Sequence, residues 1–464
     1  MNTDPSKGYL IIDATHGGVK LASEFKKQNP SNKVYIYDIY NTLKPTQIKD
    51  LKNLNIIIAN LDEIEDVDYL NVIYPIHLPL TENEIIAKIN NPNINFNFLT
   101  HHKAVKLLIN DLDCLKIEIT GVKGKTSSAF ILKEILKNYN TLLLSSLGLI
   151  YNDEIIQKDI SITPANIVNA LDICKNKDFE IAIFENSLGS SAIGDVALLT
   201  NIAENYHIAN NLRDASVAKG QIFDNDLIAI KLETLNKYYK NQSLDKINTF
   251  SINNESANLY CLDIDYNLKN TKLKIKYNNL KTINSNFVNG ELEVSTFAPG
   301  KYHVENILGA ICVALACEIP KNSIINGLKD FKGLPGRTNI RKIKGKTIIE
   351  EINPGINTKA IEYSINMIEK PEEYSIILGG DYGITCEEID EEKVANLLNN
   401  INNLDLTLTG EVGRNILSKT NNNFRFIEDY NTAIEHSIAE DKNILFIYRS
   451  DYRKLNRRWN LFIK

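Results

Sequence analysis

Short apolar runs recur along the chain, each followed by a glycine or polar turn and then by apolar residues at helical spacing. The first, Tyr9-Leu10-Ile11-Ile12-Asp13-Ala14, reads as a buried strand that runs through Thr15-His16-Gly17-Gly18 into a helix pattern over 19–26. Runs at 34–37, 55–59 and 70–74 alternate with polar or helical stretches, which predicts a small open α/β domain over 1–100. His101 and His102, at its end, read as linker residues. From about 115 the alternation repeats, with strand-like runs at 116–120, 141–144, 180–184 and 196–201, and predicts a second doubly wound parallel sheet. Shorter alternating segments between 254 and 297, with Asn and Gly turns, predict a small antiparallel section before a long apolar helix over 303–317. Gly333-Leu334-Pro335-Gly336 then breaks the pattern, and strands near 346–350, 374–378, 404–409 and 443–448 predict a third α/β domain. The expected division is 1–100, 101–334 and 335–464.

Composition narrows the partners. With 58 acidic against 52 basic residues, net charge −6, the chain has no bulk positive field for a nucleic-acid backbone or an anionic membrane, so an anionic ligand must be held by a local site. The six cysteines are scattered, with no C-x-x-C pair and no Cys/His cluster at zinc spacing, as in a reduced compartment. No apolar run reaches the roughly 18 residues of a membrane span. The first residues, Asp4-Pro5-Ser6-Lys7-Gly8 among them, lack the charged and long apolar regions of a secretory signal. A cytoplasmic location is the expectation.

The strongest chemical signal is Ile119-Thr120-Gly121-Val122-Lys123-Gly124-Lys125-Thr126-Ser127, placed after a strand and opening a helix. Backbone amides of such a turn, from Gly121 through Ser127, cradle phosphates at a helix N-terminus. The Lys125 ammonium neutralises the β and γ oxygens, and the Thr126 hydroxyl suits Mg²⁺. The strict G-x-x-x-x-G-K-[ST] pattern fails only at its first glycine, where Ile119 stands. Glu185 follows the 180–184 run and Asn201 ends the 196–201 run, so both belong on the strand-end edge that carries Lys125. A carboxylate there suits Mg²⁺, which takes few protein ligands beside phosphates.

These residues, in this order, resemble the Mur ligase superfamily, whose members activate a carboxylate as an acyl phosphate with ATP. The T-G-x-x-G-K-[TS]-[TS] loop of that family is similar to Thr120–Ser127, its Thr-Pro element to Thr163-Pro164, and its metal segment to Glu185-Asn186-Ser187-Leu188-Gly189. The Thr-Asn-Ile turn resembles Thr200-Asn201-Ile202, and the Ala-Lys pair, with its carbamylated lysine, resembles Ala218-Lys219. His303-Val304-Glu305-Asn306 resembles the adenine-side segment, and Leu334-Pro335-Gly336-Arg337 the P-G-R element. The fold implied is a three-domain α/β Mur ligase-like architecture: a Rossmann-like N-terminal substrate domain, a central P-loop ATPase domain with a parallel sheet, and a C-terminal α/β domain. The family's Asp-His after Thr-Asn-Ile is replaced here by Ala203-Glu204-Asn205-Tyr206-His207, which leaves two readings: His207 substitutes as second-metal ligand, or the second metal is weaker or absent. The family's Asp-Tyr-Ala-His segment is replaced by 350–357.

Asp13–Gly18, 350–357 and 379–390 resemble the archaeal branch that makes the nickel tetrapyrrole coenzyme F(430). That resemblance implies ATP and Mg²⁺ as cofactors and an anionic nickel tetrapyrrole as small-molecule substrate, with Thr15, His16, Gly17 and Gly18 as candidate substrate contacts. It also implies Lys125, Lys219 and His207 in catalysis, Asn306 and Arg337 on the nucleotide, and Thr126, Glu185 and His207 on metal. An amide-forming ligase of archaeal pseudomurein is the alternative, and a non-enzymatic nucleotide-binding protein a further class. Local readings compete at several positions: His16 as acid/base or as a backbone-bonded turn residue, Lys219 as carbamate or as a surface-helix lysine, Arg337 on phosphate or in an interdomain ion pair. Cys386 reads as a small buried residue rather than a nickel ligand, and Asp381 with Glu387, Glu388 and Asp390 as a substrate-facing cluster or a solvated turn.

Overall fold

The computed structural model of the chain describes residues 7–109, 112–343, 345–368, 370–384, 388–401 and 404–455. They pack as two units: residues up to 264 with 273–294 and 305–330, and residues 265–272 and 295–304 with 331 onward. Among the described residues no helix is long and apolar enough to cross a membrane.

The first unit holds two large sheets. One has five parallel strands in the spatial order Ile57–Ile58, Lys33–Tyr37, Lys7–Ile12, Tyr69–Tyr74, Asn95–Thr100. The winding direction reverses between Lys7–Ile12 and Tyr69–Tyr74, the place where open parallel sheets leave a crevice at their strand ends. Asn95–Thr100 escapes the sequence pattern because its alternating Asn residues dilute the apolar run.

The other sheet has eleven strands. Its interior is parallel, in the order Ile247–Ser251, Leu227–Lys231, Val196–Leu199, Leu115–Thr120, Ile181–Glu185, Thr141–Ser145. An antiparallel pair, Gly148–Tyr151 and Glu154–Gln157, closes one edge. Leu259–Asp265, Thr271–Lys281 and Phe287–Thr296, the segments whose alternating pattern predicts a small antiparallel section, continue the other edge. Leu21, Ala22 and Phe25 of the helix Gly18–Gln28 share one apolar core with Leu142, Leu144, Ala165, Ile167 and Phe184 around the larger sheet. At about 1.5–3 kcal/mol for each fully buried large apolar side chain, this seam fixes the five-stranded sheet against its neighbour.

The second unit is built on six strands, ordered Asn339–Ile343, Lys346–Ile352, Asn443–Arg449, Tyr374–Gly380, Asp405–Thr409, Arg425–Phe426, parallel except for the first pair. Ile376, Leu378, Leu445 and Ile447 face one core and Ile377, Ile444, Phe446 and Tyr448 the other. Covering both faces is why these strands read as unbroken apolar runs. Asp381 lies at the strand ends, where its carboxylate accepts from Tyr448 (3.0 Å) and Ser450 (2.8 Å), and Glu388 pairs with the buried Arg449 at 2.9 Å. Cys386 and Glu387 lie outside the described residues, as do Asp4, Pro5 and Ser6.

Candidate active site

The strand Leu115–Thr120 passes through Gly121 (φ 143°) and Gly124 (φ 85°) into the helix Lys125–Ile135. Both glycines are required twice over. Their φ values disfavour any side chain, and an added Cβ would lie 1.9 Å from Thr200 Oγ1 at Gly121 and 2.1 Å from Asn306 Oδ1 at Gly124. Asn306 is therefore packed against the turn. The neighbouring strand end holds the turn open: the Val122 amide donates to the Asn201 carbonyl (2.9 Å) and the Lys123 amide to Asn201 Oδ1 (3.2 Å). The Lys123 carbonyl in turn accepts from Thr200 Oγ1 (2.6 Å) and Asn201 Nδ2 (3.1 Å). Lys125 Nζ reaches back to the Gly121 carbonyl at 3.1 Å, and Ser127, half-buried, lies in the first helical turn.

Parallel register places Glu185 beside Ile119, so its carboxylate emerges at the base of the loop. It is buried, accepts from Thr126 Oγ1 at 2.8 Å, and takes the Ser146 amide at 3.0 Å; the Ser146 hydroxyl lies 3.0 Å from Thr126 Oγ1. Three strand ends thus converge on one set of hard oxygen donors, the chemistry that Mg²⁺ prefers. Ser146 has no sequence signal of its own; it is found only because Thr141–Ser145 pairs beside Ile181–Glu185.

The family can be settled from here. The Mur ligase middle domain matches residues 119–314, and the C-terminal domain of coenzyme F430 synthetase CfbE matches residues 340–451. The coenzyme F(430) synthetase of Methanocaldococcus jannaschii is 30% identical over 94% of this chain and 97% of its own length. The chain belongs to the coenzyme F(430) synthetase family of Mur ligases. The enzyme of that name from Methanosarcina acetivorans is 28% identical over 84% of this chain and 87% of its own. In fold the chain is similar to MurF from Acinetobacter baumannii (TM-score 0.57, 14% identity, 88% of this chain and 92% of that one). It is similar also to a pseudomurein peptide ligase type C from Methanothermus fervidus (TM-score 0.55, 18% identity, 99% and 100%). Membership makes the chain an ATP-dependent ligase with the Mur ligase α/β fold.

Other candidate residues of this F(430) synthetase-family chain are less legible. Lys219 ends the helix Ala215–Lys219 and is 1% exposed, so it is not a surface lysine. His207 is two-thirds exposed in a two-stranded ribbon and pairs with Asp214 at 2.6 Å. Arg337 lies in the second unit near Glu351, a buried carboxyl that burial pushes up to about 7, against the pull of Thr338 and of Arg337 itself. His101 and His102 are not linker residues. They begin the helix His101–Leu108, are 2% and 3% exposed, and bond through Nε2 to the carbonyls of Ile12 (3.0 Å) and Ser187 (2.8 Å). Thr15 meets Thr42 (2.9 Å between hydroxyls), and Gly17 (φ 92°) has no room for a Cβ, which would lie 2.4 Å from that of Ala165. Gly18 is equally confined, by the Asp13 carbonyl.

Glu118, unnoticed in the sequence, organises the segment after Glu185. Buried mid-strand, it accepts from Asn186 Nδ2 (2.6 Å), Ser190 Oγ (2.7 Å) and the amides of Ser191 (2.9 Å) and Ile193 (3.4 Å). Burial pushes its carboxyl up, and these donors pull against that shift. Glu118→Ala strands several buried donors at once and is expected to cost about 2–4 kcal/mol. Chemical denaturation of the variant checks this, and an unchanged midpoint would show that the loop holds itself.

Proposed function

We propose that the chain closes the carbocyclic ring of coenzyme F(430): a carboxylate of the nickel seco-tetrapyrrole acid is phosphorylated by ATP, and a carbon nucleophile of the same macrocycle displaces the phosphate. The observation that carries this reading is the 340–451 match to the synthetase C-terminal domain, joined to 30% identity through 97% of a synthetase's length. In the first step a carboxylate oxygen bonds to the γ-phosphorus and ADP leaves. In the second the nucleophilic carbon gives up a proton, a C–C bond forms at the acyl carbon, and inorganic phosphate leaves.

The loop supplies what that first step needs. Its amides and the helix N-terminus would bind the phosphates, and the Lys125 ammonium would exchange the Gly121 carbonyl for phosphate oxygen. Thr126 Oγ1 and Glu185 Oε1, 2.8 Å apart and buried, fit a magnesium ion, which when bound neutralises phosphate charge. Asn306, packed on Gly124, and Arg337, whose fork suits phosphate, are assigned to the nucleotide.

Enclosure at 1% exposure, away from the surface, supports on Lys219 the carbamate that the family's Ala-Lys pair carries. Lys219→Ala is then expected to lose activity and to regain part of it in formate or acetate, whose carboxylate replaces the carbamate. Failure of every small carboxylate to restore turnover would remove that role.

The reading is tested with purified protein, Mg²⁺-ATP and the nickel seco-tetrapyrrole acid. One ADP per ring closed, followed by the macrocycle's absorbance, is the expected result. Phosphate release that requires an added amino acid or peptide would instead make the chain an amide-forming ligase.

A further inference from the structure

Asp13 stands immediately after the strand Lys7–Ile12, and His77 follows the strand Tyr69–Tyr74, so both lie at the winding reversal of the five-stranded sheet. His16 is in the turn that Asp13 begins. Three ligand-type atoms meet there. His16 Nδ1 is 2.5 Å from Asp13 Oδ2, His77 Nε2 is 3.1 Å from His16 Nδ1, and His77 Nε2 is 3.7 Å from Asp13 Oδ2. Among the described residues this is the one group of three His, Cys, Asp or Glu side chains whose ligand atoms converge so closely.

We propose that Asp13, His16 and His77 bind a divalent transition-metal ion through one carboxylate oxygen and two imidazole nitrogens. Neighbouring ligands of an ion with bonds of about 2.0–2.2 Å lie about 3.0–3.4 Å apart, and the three sides of this triangle bracket that range. Two ring nitrogens that face each other and one carboxylate oxygen can be served by a single shared proton only in part; a cation satisfies all three lone pairs. Two imidazoles and a carboxylate select zinc, iron(II), cobalt(II) or nickel(II) over magnesium, the harder ion.

The site is held before any ion arrives. Asp13 is fully buried at φ 76°, its amide bonds to the Tyr37 carbonyl (2.9 Å), and its second oxygen takes the Thr15 amide (2.7 Å). Arg213 Nη1 bonds to the carbonyls of Ile76 and Leu78, at 3.2 Å each, and so fixes both sides of His77. Gly17, in the same turn, packs closely on Ala165. The side chains of His16 and His77 remain 34% and 23% exposed, which leaves coordination positions open to solvent or to an anionic ligand.

The ion is a free one, not the nickel of a tetrapyrrole. A macrocyclic nickel already has four equatorial nitrogens and offers one axial place on each face, whereas these three atoms converge on one point from one side. The inference therefore stands independently of the substrate assigned above.

Chelator-treated full-length protein, without ATP or magnesium, is titrated with cobalt(II) and followed by its visible d–d absorption. One equivalent should bind, and excess magnesium should not displace it. His77→Gln and the double variant His16→Gln/His77→Gln, which keep hydrogen-bonding capacity, should weaken binding by more than the roughly 10–100-fold that loss of a ligand's hydrogen-bond partner causes. Circular dichroism confirms that each variant is folded. No saturable cobalt binding by the unaltered protein, or the same affinity in the double variant, would overturn the assignment and leave a hydrogen-bonded relay.

Discussion

Lys125→Ala is expected to lower ADP formation about 10²–10³-fold, the usual loss when one preorganised cation or donor is taken from a transition state that gathers charge. The reason lies in its position. The side chain opens a helix N-terminus, next to the glycine turn, and its ammonium donates to a carbonyl of that turn. It is half-buried and lies outside the apolar cores of the unit, so stability should change by no more than a typical surface substitution, within about 0.5 kcal/mol. Single-turnover ADP release, measured beside the thermal midpoint, separates the two effects. A variant that turns over within tenfold of the parent would move γ-phosphate stabilisation to another residue.

Acid should unfold the first unit through His101 and His102. Burial holds their pKa values down, to about 3 and about 4, although backbone carbonyls at their Nε2 atoms pull the other way. In the unfolded chain both take up protons near pH 6.5; in the native state neither does until far lower. Their contribution is thus intact above pH 6.5 and declines as pH falls toward 4, by about 1.4 kcal/mol per unit for each, or roughly 3 kcal/mol per unit together. Glu118, raised by burial, opposes this trend, so the histidine part is isolated by comparison with His101→Gln/His102→Gln. That variant should lose stability at pH 7.5 and recover relative to the parent with every step down in pH. Parallel stability curves between pH 6.5 and 4.5 would show that the rings ionise in the folded state. In the second unit the two opposing groups nearly cancel: burial lowers His303 to about 3 and raises Glu351 to about 7.

What was legible in the sequence was what is local. A phosphate loop is a strand, a turn with glycines at fixed offsets and a helix, all within a dozen residues, so Gly121, Gly124, Lys125 and Thr126 announce themselves. Glu185 followed from the rule that polar residues at parallel strand ends share one edge. Glu118 did not, because Lys116 and Glu118 alternating with Ile117 and Ile119 is the pattern of a solvated face; the partner that buries Glu118 is a loop some seventy residues later. Lys219, His101 and His102 are hidden for the same reason. Their surroundings come from other strands, and nothing in their neighbours' spacing distinguishes a buried lysine or imidazole from an exposed one. His77 carried a usable signal, a histidine three residues past the end of an apolar run, and its partner Asp13 sat directly after the end of another.

The apolar seam between the two sheets of the first unit also sets an order on the ribosome. Leu21, Ala22 and Phe25 leave the exit tunnel early, but the residues that cover them extend to Phe184. Throughout the synthesis of the intervening residues, the strands of the five-stranded sheet can pair and Phe25 can stack on Tyr9, while the part of this core that Ala165, Ile167 and Phe184 complete stays open. The emerging chain therefore carries a sticky surface for longer than its own sheet needs to form, and the cell must keep that surface from other proteins until the central strands arrive.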